Sequence, residues 1–476
     1  MKIFQLFMII MISISFELCS SPVDYSVLYG YWGMSMKDNS GDQHFIAYFY
    51  KGTNEINCEF HSYQNGMKFN SEPSGEVSFD GKNISMIVNQ SADVKYDGQV
   101  DLVKGIINGK LIYSNGSEME FNLTKYSSDK IKEEFPGLLH LKEKSYTYSQ
   151  PETLDDGIQT ASLDEMNIDG NVLNEMVAKI INGNYDKVNS VLILRNGKLV
   201  FEKYFDGFSE NDLNMQRSAT KSISSLLTGI AIDKHLIKSV DQKLLDFYPD
   251  YQNNLPHEWN NVLLKHVLTM SMGLNWNEEY HENIWKRSND VIKSTFEQKF
   301  AFEPGKKFEY RNPNVDLLAG VLIKASGEPV QKFAEENLFK PLGIKNYQWR
   351  NFKKNNYPLM DGSLCLRPRD MAKIGLMILN NGRWNGSQIV SSKWMEESTS
   401  SKIKVDDTME YGYLWWIGKS HVKPGLHAVF ANGLGGQHII IVRDLSLVVV
   451  TTGGNFDKPG GFLLRMIDEY IIKSVN

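Results

Sequence analysis

Along residues 25–125, apolar and polar positions alternate in short runs, each closed by turn-forming residues after eight to twelve positions. The runs Phe45–Tyr50, Asn57–Tyr63, Asn83–Asn89, Gln99–Val103, Lys110–Tyr113 and Met119–Leu123 read as strands. Asn65-Gly66, Asp80-Gly81, Asp97-Gly98 and Asn115-Gly116 read as the turns between them. The pattern predicts an all-β barrel or sandwich over residues 22–128, in which no chemistry is apparent. Residues 129–160 carry Lys, Glu, Pro and Tyr without a period and read as a linker.

A second domain is expected over 161–476. Val191–Arg195 and Lys198–Phe205 flank Asn196-Gly197, a strong hairpin signal. Gln437–Arg443 and Ser446–Thr452 form a second hairpin, followed by an amphipathic helix over Gly461–Val475. Helical periodicity fills most of the chain between them. Strands at both ends with helices between predict an antiparallel sheet closed by both termini, hence an α+β fold.

A length of 476 residues fits two or three domains, and 42% hydrophobic with 23% charged residues is a globular make-up. The net charge of −6 is spread without blocks, which excludes a nucleic-acid partner and indicates only solubility. Lys2 followed by the apolar run Ile3–Phe16 reads as an export signal over residues 1–21, too short to span a bilayer comfortably. The expected location is therefore secreted or periplasmic, with membrane association only through that segment. Cys19 falls beside the signal. Cys58 and Cys365 fall in different domains, so a bridge between them is open but disfavoured.

Ser-x-x-Lys occurs four times, starting at Ser127, Ser218, Ser401 and Ser420. Only the second opens a helical pattern, with apolar residues at Ile223, Leu226, Leu227, Ile230 and Ala231. Ser218 and Lys221 then lie one turn apart on one face at the helix start. A serine hydroxyl needs a nearby base to become a nucleophile, and a desolvated lysine can be that base. Without support, the same pair is a helix cap with a solvent-facing lysine. Support comes from Tyr310-Arg311-Asn312, which follows the turn Phe302-Glu303-Pro304-Gly305. In an extended segment Tyr310 and Asn312 point the same way, one toward the Ser218 proton and the other toward Lys221 or the substrate.

Ser218-x-x-Lys221 with Tyr310-x-Asn312 resembles the serine β-lactamase-related, penicillin-binding-protein-like hydrolases. These include class C β-lactamases, esterases and 6-aminohexanoate-dimer hydrolase relatives. The resemblance covers about residues 185–455. It includes Val267–Trp276, Pro341-Leu342-Gly343-Ile344, Pro368-Arg369-Asp370-Met371, Tyr411–Trp416 and Gly433–Gln437. It implies a β-lactamase/transpeptidase-like domain, Ser218 as acylated nucleophile, Lys221 and Tyr310 as the proton-transfer pair, and Asn312 in the substrate cleft. The family's third motif, Lys-Thr-Gly or His-Thr-Gly, is matched by Ala431-Asn432-Gly433 and lacks the cation that helps hold a substrate carboxylate. Asn432, Gly433 and Leu434 are carried over as substrate-binding positions, with the Leu434 amide joining that of Ser218 in an oxyanion hole. Trp415 and Trp416 are expected partly in the cleft and partly in the core, and Asp370 as a helix cap.

A small-molecule or peptide-like ester or amide is the expected substrate. A D-specific peptidase or true β-lactamase, and a non-catalytic scaffold of the same fold, remain alternatives. No zincin pair, phosphate loop or dinucleotide fingerprint is present, so neither metal nor cofactor is expected. Gly-x-Ser-x-Gly is also absent.

Overall fold

The structure is a computed structural model that describes residues 23–476 apart from 39–40, 52–55, 65–66, 90–93, 136–137, 139–145, 206, 253–254, 276–289, 352–356, 457 and 459–460. The expected export signal and the Asn65-Gly66 turn lie outside the described residues. The described residues fall into two compact units: one up to Met34 with Phe45–Phe60 and Glu72–Tyr126, the other of Ser35–His44, His61–Ser71 and Ser127–Asn476.

The N-terminal strands are β1 (Gly30–Asp38), β2 (Gly41–Tyr50), β3 (Asn57–Gln64), β4 (Met67–Pro73), β5 (Val77–Phe79), β6 (Asn83–Asn89), β7 (Val94–Asp101), β8 (Ile106–Ile112), β9 (Glu118–Glu120) and β10 (Leu123–Lys125). They form one sheet in the order β4-β3-β2-β1-β10-β8-β7-β6-β5, with β9 beside β8. Between β4 and β5, Ser74 N donates to Cys58 O and Gly75 N to Ile87 O, at 2.8 and 2.7 Å. That stretch therefore touches β3 and β6 and nearly closes the barrel. Its core is aromatic and aliphatic, with Trp32, Phe49, Tyr96 and Ile107 fully buried. Asp97-Gly98 is not a turn: both residues pair inside β7, with Gly98 opposite Gly109. A Cβ on Gly98 would come 2.8 Å from Ile107 Cγ2 and 3.1 Å from the Tyr96 hydroxyl. Glycine here serves ring packing within a strand rather than chain reversal.

The stretch 129–160 holds more order than an unstructured linker. Helix α1 (Ser128–Glu134) is capped by Ser127, whose hydroxyl accepts from Lys130 N at 3.2 Å. Farther on, β11 (Gln159–Thr160) joins the second sheet. That sheet also contains β12 (Val188–Arg195), β13 (Lys198–Tyr204), β14 (Ile403–Lys404), β15 (Met409–Tyr411), β16 (Trp416–Lys419), β17 (His427–Gly433), β18 (Gln437–Val442) and β19 (Leu447–Gly453). Its order is β11-β13-β12-β19-β18-β17-β16-β15-β14, and all pairings but β11–β13 are antiparallel. The β12–β13 turn has Asn196 at φ 50° and Gly197 at φ 81°, the double left-handed geometry that Asn-Gly favours.

One face of this sheet packs under α2 (Gly170–Ile181) and the C-terminal helix, which begins at Phe462–Met466 and widens into a π-helical stretch over Ile467–Ile472. The other face packs under α3 (Thr220–Asp233) and α5 (Pro368–Leu379), with α4 (Asn312–Ser326) packed on α3 in the same core. The α+β expectation holds, because the alternating strands bury both faces and need helices on each. Cys58 and Cys365 are both buried and free. Asp370 is not the N-cap of α5. It lies one turn inside, fully buried, and accepts from Arg367 Nε at 2.8 Å and Lys373 Nζ at 3.1 Å.

Candidate active site

The chain reaches Ser218 through a held strand. Asn214 and Met215 pair with Leu366 and Cys365, and Gln216 N donates to Leu364 O at 2.7 Å. Arg217 then takes φ 48°, a left-handed conformation that costs a residue with a Cβ about 1–2 kcal/mol. Its guanidinium lies over the Phe456 ring, 4.8 Å from the centroid. The reversal starts a 3-10 turn over Arg217–Ala219 that runs into α3, so Ser218 stands on the approach to the helix rather than inside it.

The sequence pattern gives α3 one apolar stripe, yet the helix is buried nearly all round. Three of its hydroxyls bond to carbonyls, two in neighbouring segments and one in the preceding turn of the same helix. Ser222 Oγ donates to Leu414 O at 2.7 Å, Ser224 Oγ to Met360 O at 2.8 Å, and Thr228 Oγ1 to Ser224 O at 2.9 Å. These three hydroxyls are paired in this way, whereas Thr220 Oγ1 and Ser225 Oγ of the same helix are buried without a partner among the described residues.

Lys221 is 1% exposed. Its Nζ donates to Ser218 Oγ at 2.9 Å and to Asp361 O at 2.8 Å. The same nitrogen lies 5.0 Å from the centroid of the Tyr310 ring. Tyr310 is half-buried and stacks on Trp416, with centroids 5.7 Å apart and planes at 28°. Trp416 in turn meets Tyr411 edge-on at 5.0 Å, while Trp415 is fully buried in the core. Backbone bonds from Gly305 N to Ser271 O and from Glu309 N to Met270 O, both 2.7 Å, hold the segment that carries Tyr310. Ser218, Lys221 and Tyr310 therefore come together in space.

Asn312 departs from the extended geometry expected of Tyr310-x-Asn312. It is the first residue of α4, after Arg311 as N-cap, and its Oδ1 is buried without a partner among the described residues. One turn farther, Asp316 is 2% exposed, and its Oδ1 accepts from Met360 N at 2.8 Å and Asp361 N at 3.3 Å. Its Oδ2 has no partner among the described residues. Burial first, and the Asp361 carboxylate second, raise Asp316 well above the usual carboxylate range, against the pull of Lys221. Motif spacing missed Asp316 and the Asp361 carbonyl. The available signal was one acid inside the apolar run Val315–Leu318 of a buried helix.

Gly433 ends β17 against the 217–219 turn. A Cβ there would lie 2.1 Å from Gln216 O and 3.2 Å from Ala219 N, so the approach demands glycine. Strand alternation puts Ala431 on the same face as Gly433 and Asn432 on the opposite face, with Phe430 and its cross-strand partner His438. The side chain of Asn432 is thus not brought to Ser218. Ala431 is fully buried, and Leu434, just beyond the strand, is 52% exposed. Below that turn, His438 Nδ1 lies 2.8 Å from Thr451 Oγ1, which donates to Gly436 O at 2.9 Å.

Known proteins are similar to this chain in sequence and fold. A penicillin-binding protein named PbpX, from Bacillus subtilis, is 24% identical over 274 residues, 53% of this chain and 69% of the relative. The 6-aminohexanoate-dimer hydrolase of Paenarthrobacter ureafaciens is 23% identical over 223 residues, 44% of this chain and 56% of the relative. The chain thus spans little more than half of that enzyme's length. Among solved structures, one from Bacillus anthracis named as a 6-aminohexanoate-dimer hydrolase superposes with a TM-score of 0.55 at 18% identity, covering 74% of this chain and 97% of that one. At that identity the likeness is one of fold. Residues 187–465, more than half of the chain, match the family model described as Beta-lactamase. With the β-lactamase-like fold in place, the chain belongs to the Beta-lactamase family, and its homologues are hydrolases of the serine β-lactamase superfamily.

Proposed function

We propose that the protein is a serine acyl hydrolase that cleaves an ester or amide through a covalent acyl-enzyme on Ser218. The observation that carries this reading is the buried Lys221 amino group, 2.9 Å from Ser218 Oγ and over the Tyr310 ring. In the proposed reaction, Ser218 Oγ attacks the substrate carbonyl carbon and its proton passes to the Lys221 amino group. The backbone amides of Ser218 and Leu434 stabilise the oxyanion. The carbon–oxygen or carbon–nitrogen bond of the substrate then breaks. The leaving alcohol or amine takes the proton through Tyr310, leaving an ester on Ser218. Water attacks that ester, releases the acid and returns a proton to Ser218.

A buried Ala431 in place of a cation supports a small-molecule or peptide-like substrate recognised without its carboxylate. The aromatic wall of Tyr310 and Trp416 fits an apolar acyl group. The test is a fluorophosphonate probe read by intact mass. One probe adduct is expected on the wild-type chain and none on Ser218→Ala, with the labelling rate falling by at least about 10³-fold. An adduct that survives Ser218→Ala sinks the nucleophile. A strong preference for free-acid over esterified substrates argues for a carboxylate-recognising peptidase or β-lactamase instead.

A further inference from the structure

Lys221 needs a fixed direction as well as a buried setting. A lysine amino group rotates freely and has three donors, so its alignment on Ser218 depends on what holds the others. Here a second donor goes to the Asp361 carbonyl, in a turn 140 residues away in sequence. Two side chains anchor that turn. Ser224 Oγ, on the same helix as Lys221, donates to Met360 O at 2.8 Å. From α4, Asp316 Oδ1 accepts the backbone N–H groups of both Met360 and Asp361.

We propose that Asp316 is a positioning residue for Lys221: its carboxyl pins the Met360–Asp361 backbone so that the Asp361 carbonyl holds the amino group on Ser218. This rests on the reading of Lys221 as the group that activates Ser218. A buried acid is costly, and one aligned on two backbone donors with a bare second oxygen is an expensive way to secure a turn. Placement at the lysine that meets the nucleophile gives that cost a purpose. The titratable groups around it are Lys221 and Asp361, with Tyr248 on the flank. Burial and Asp361 favour the uncharged acid, which lends Lys221 an anchored carbonyl without a competing carboxylate charge. Only the acceptor role of Oδ1 is then required, and an amide supplies it equally well.

The experiment uses the full chain and follows phosphonylation of Ser218 by the fluorophosphonate probe, with loss of fluoride, as the surrogate for acylation, giving its maximal rate and half-saturating concentration across pH. Asp316→Leu fills the volume without an acceptor. It is expected to slow maximal acylation by roughly 10- to 100-fold with half-saturation within about two-fold, the signature of a misdirected group rather than a lost binding site. Asp316→Asn is expected to restore the rate to within about three-fold, with the pH profile of wild type. Should Asp316→Leu fail to fold, Ser224→Ala removes the other anchor, and a loss of about three- to ten-fold is expected. Wild-type acylation in folded Asp316→Leu or in Ser224→Ala, or an Asp316→Asn as slow as Asp316→Leu, overturns the proposal. Those results with no labelling of Ser218→Ala sink the positioning role alone. Labelling that persists in Ser218→Ala sinks the nucleophile and the positioning role together.

Discussion

The two units bury different chemistry. Among the described residues of the N-terminal sheet, one polar or charged side chain, His61 on β3, is buried, and Trp32, Phe49, Tyr96 and Ile107 fill the interior. The second unit buries Lys221, Asp316, Asp361, Arg369, Asp370, Lys373, His266 and His438. Apolar burial is stabilising in itself, at roughly 25 cal/mol per Å², whereas each buried charge must be repaid by partners. Some are repaid structurally. Arg369 binds Glu202 through Nε at 2.8 Å and Asp156 through Nη1 at 3.1 Å, which ties the 152–156 segment to α5 and β13. Lys221 and Asp316 converge on the turn beside Ser218 instead. The contrast separates a largely apolar core from one that gives up stability to bury charged groups around the proposed nucleophile.

Three measurements put that contrast at risk. Trp32 packs in the barrel core and its indole N–H donates to Leu28 O at 2.7 Å. Trp32→Ala is expected to cost about 3–5 kcal/mol of stability while leaving acylation of Ser218 in folded protein within about two-fold. Denaturant unfolding with probe labelling checks this, and a parallel collapse of acylation would tie the barrel to catalysis. Next, Gly433→Ala drives a methyl into Gln216 O and displaces the turn that carries Ser218. A drop in acylation on the order of 100-fold is expected, with far-UV circular dichroism retained. Unchanged acylation would mean that the β17–turn contact does not position the nucleophile.

The smallest effect concerns acid. Burial holds His438 at about 3; burial and then the charge of Lys265 hold His266 at about 4. Unfolded histidine titrates near 6.5, so above that pH both states are neutral and neither residue weakens the fold. As pH falls through 6.5, only the unfolded chain takes up protons, and stability falls by about 1 kcal/mol per histidine per pH unit until the folded values are reached. Denaturant unfolding of the second unit at pH 7 and pH 5 reads this loss, and His438→Asn should reduce it. A loss of equal size in that variant would refute the assignment.

Local spacing carried a good part of this protein. Asn196-Gly197 dictated a two-residue hairpin because both positions accept positive φ, and Ser218 and Lys221 meet because one helical turn separates them. Tyr310 was legible as a motif residue, and Ala431 as a missing cation. Where the sequence misled, a short-range rule met a long-range constraint. Asp97-Gly98 reads as a turn, yet the Tyr96 ring and Ile107 require glycine inside the strand. Tyr310-x-Asn312 reads as extended, yet the helix starts at Asn312. The stripe on α3 reads as one buried face, yet neighbouring segments cover the rest and offer carbonyls to its serines.

By itself, then, the sequence determined the class of fold and the pairing of Ser218, the proposed nucleophile, with Lys221, because these depend on periodicity and on residues three or four apart. Tertiary structure decided what surrounds them. The Asp361 carbonyl on Lys221, the Asp316 carboxyl behind it and the Gln216 carbonyl against Gly433 join segments separated by 140, 44 or 45, and more than 200 residues. No local pattern encodes such pairings, since backbone carbonyls look alike in sequence and acquire distinct roles only when folding brings them to a particular side chain.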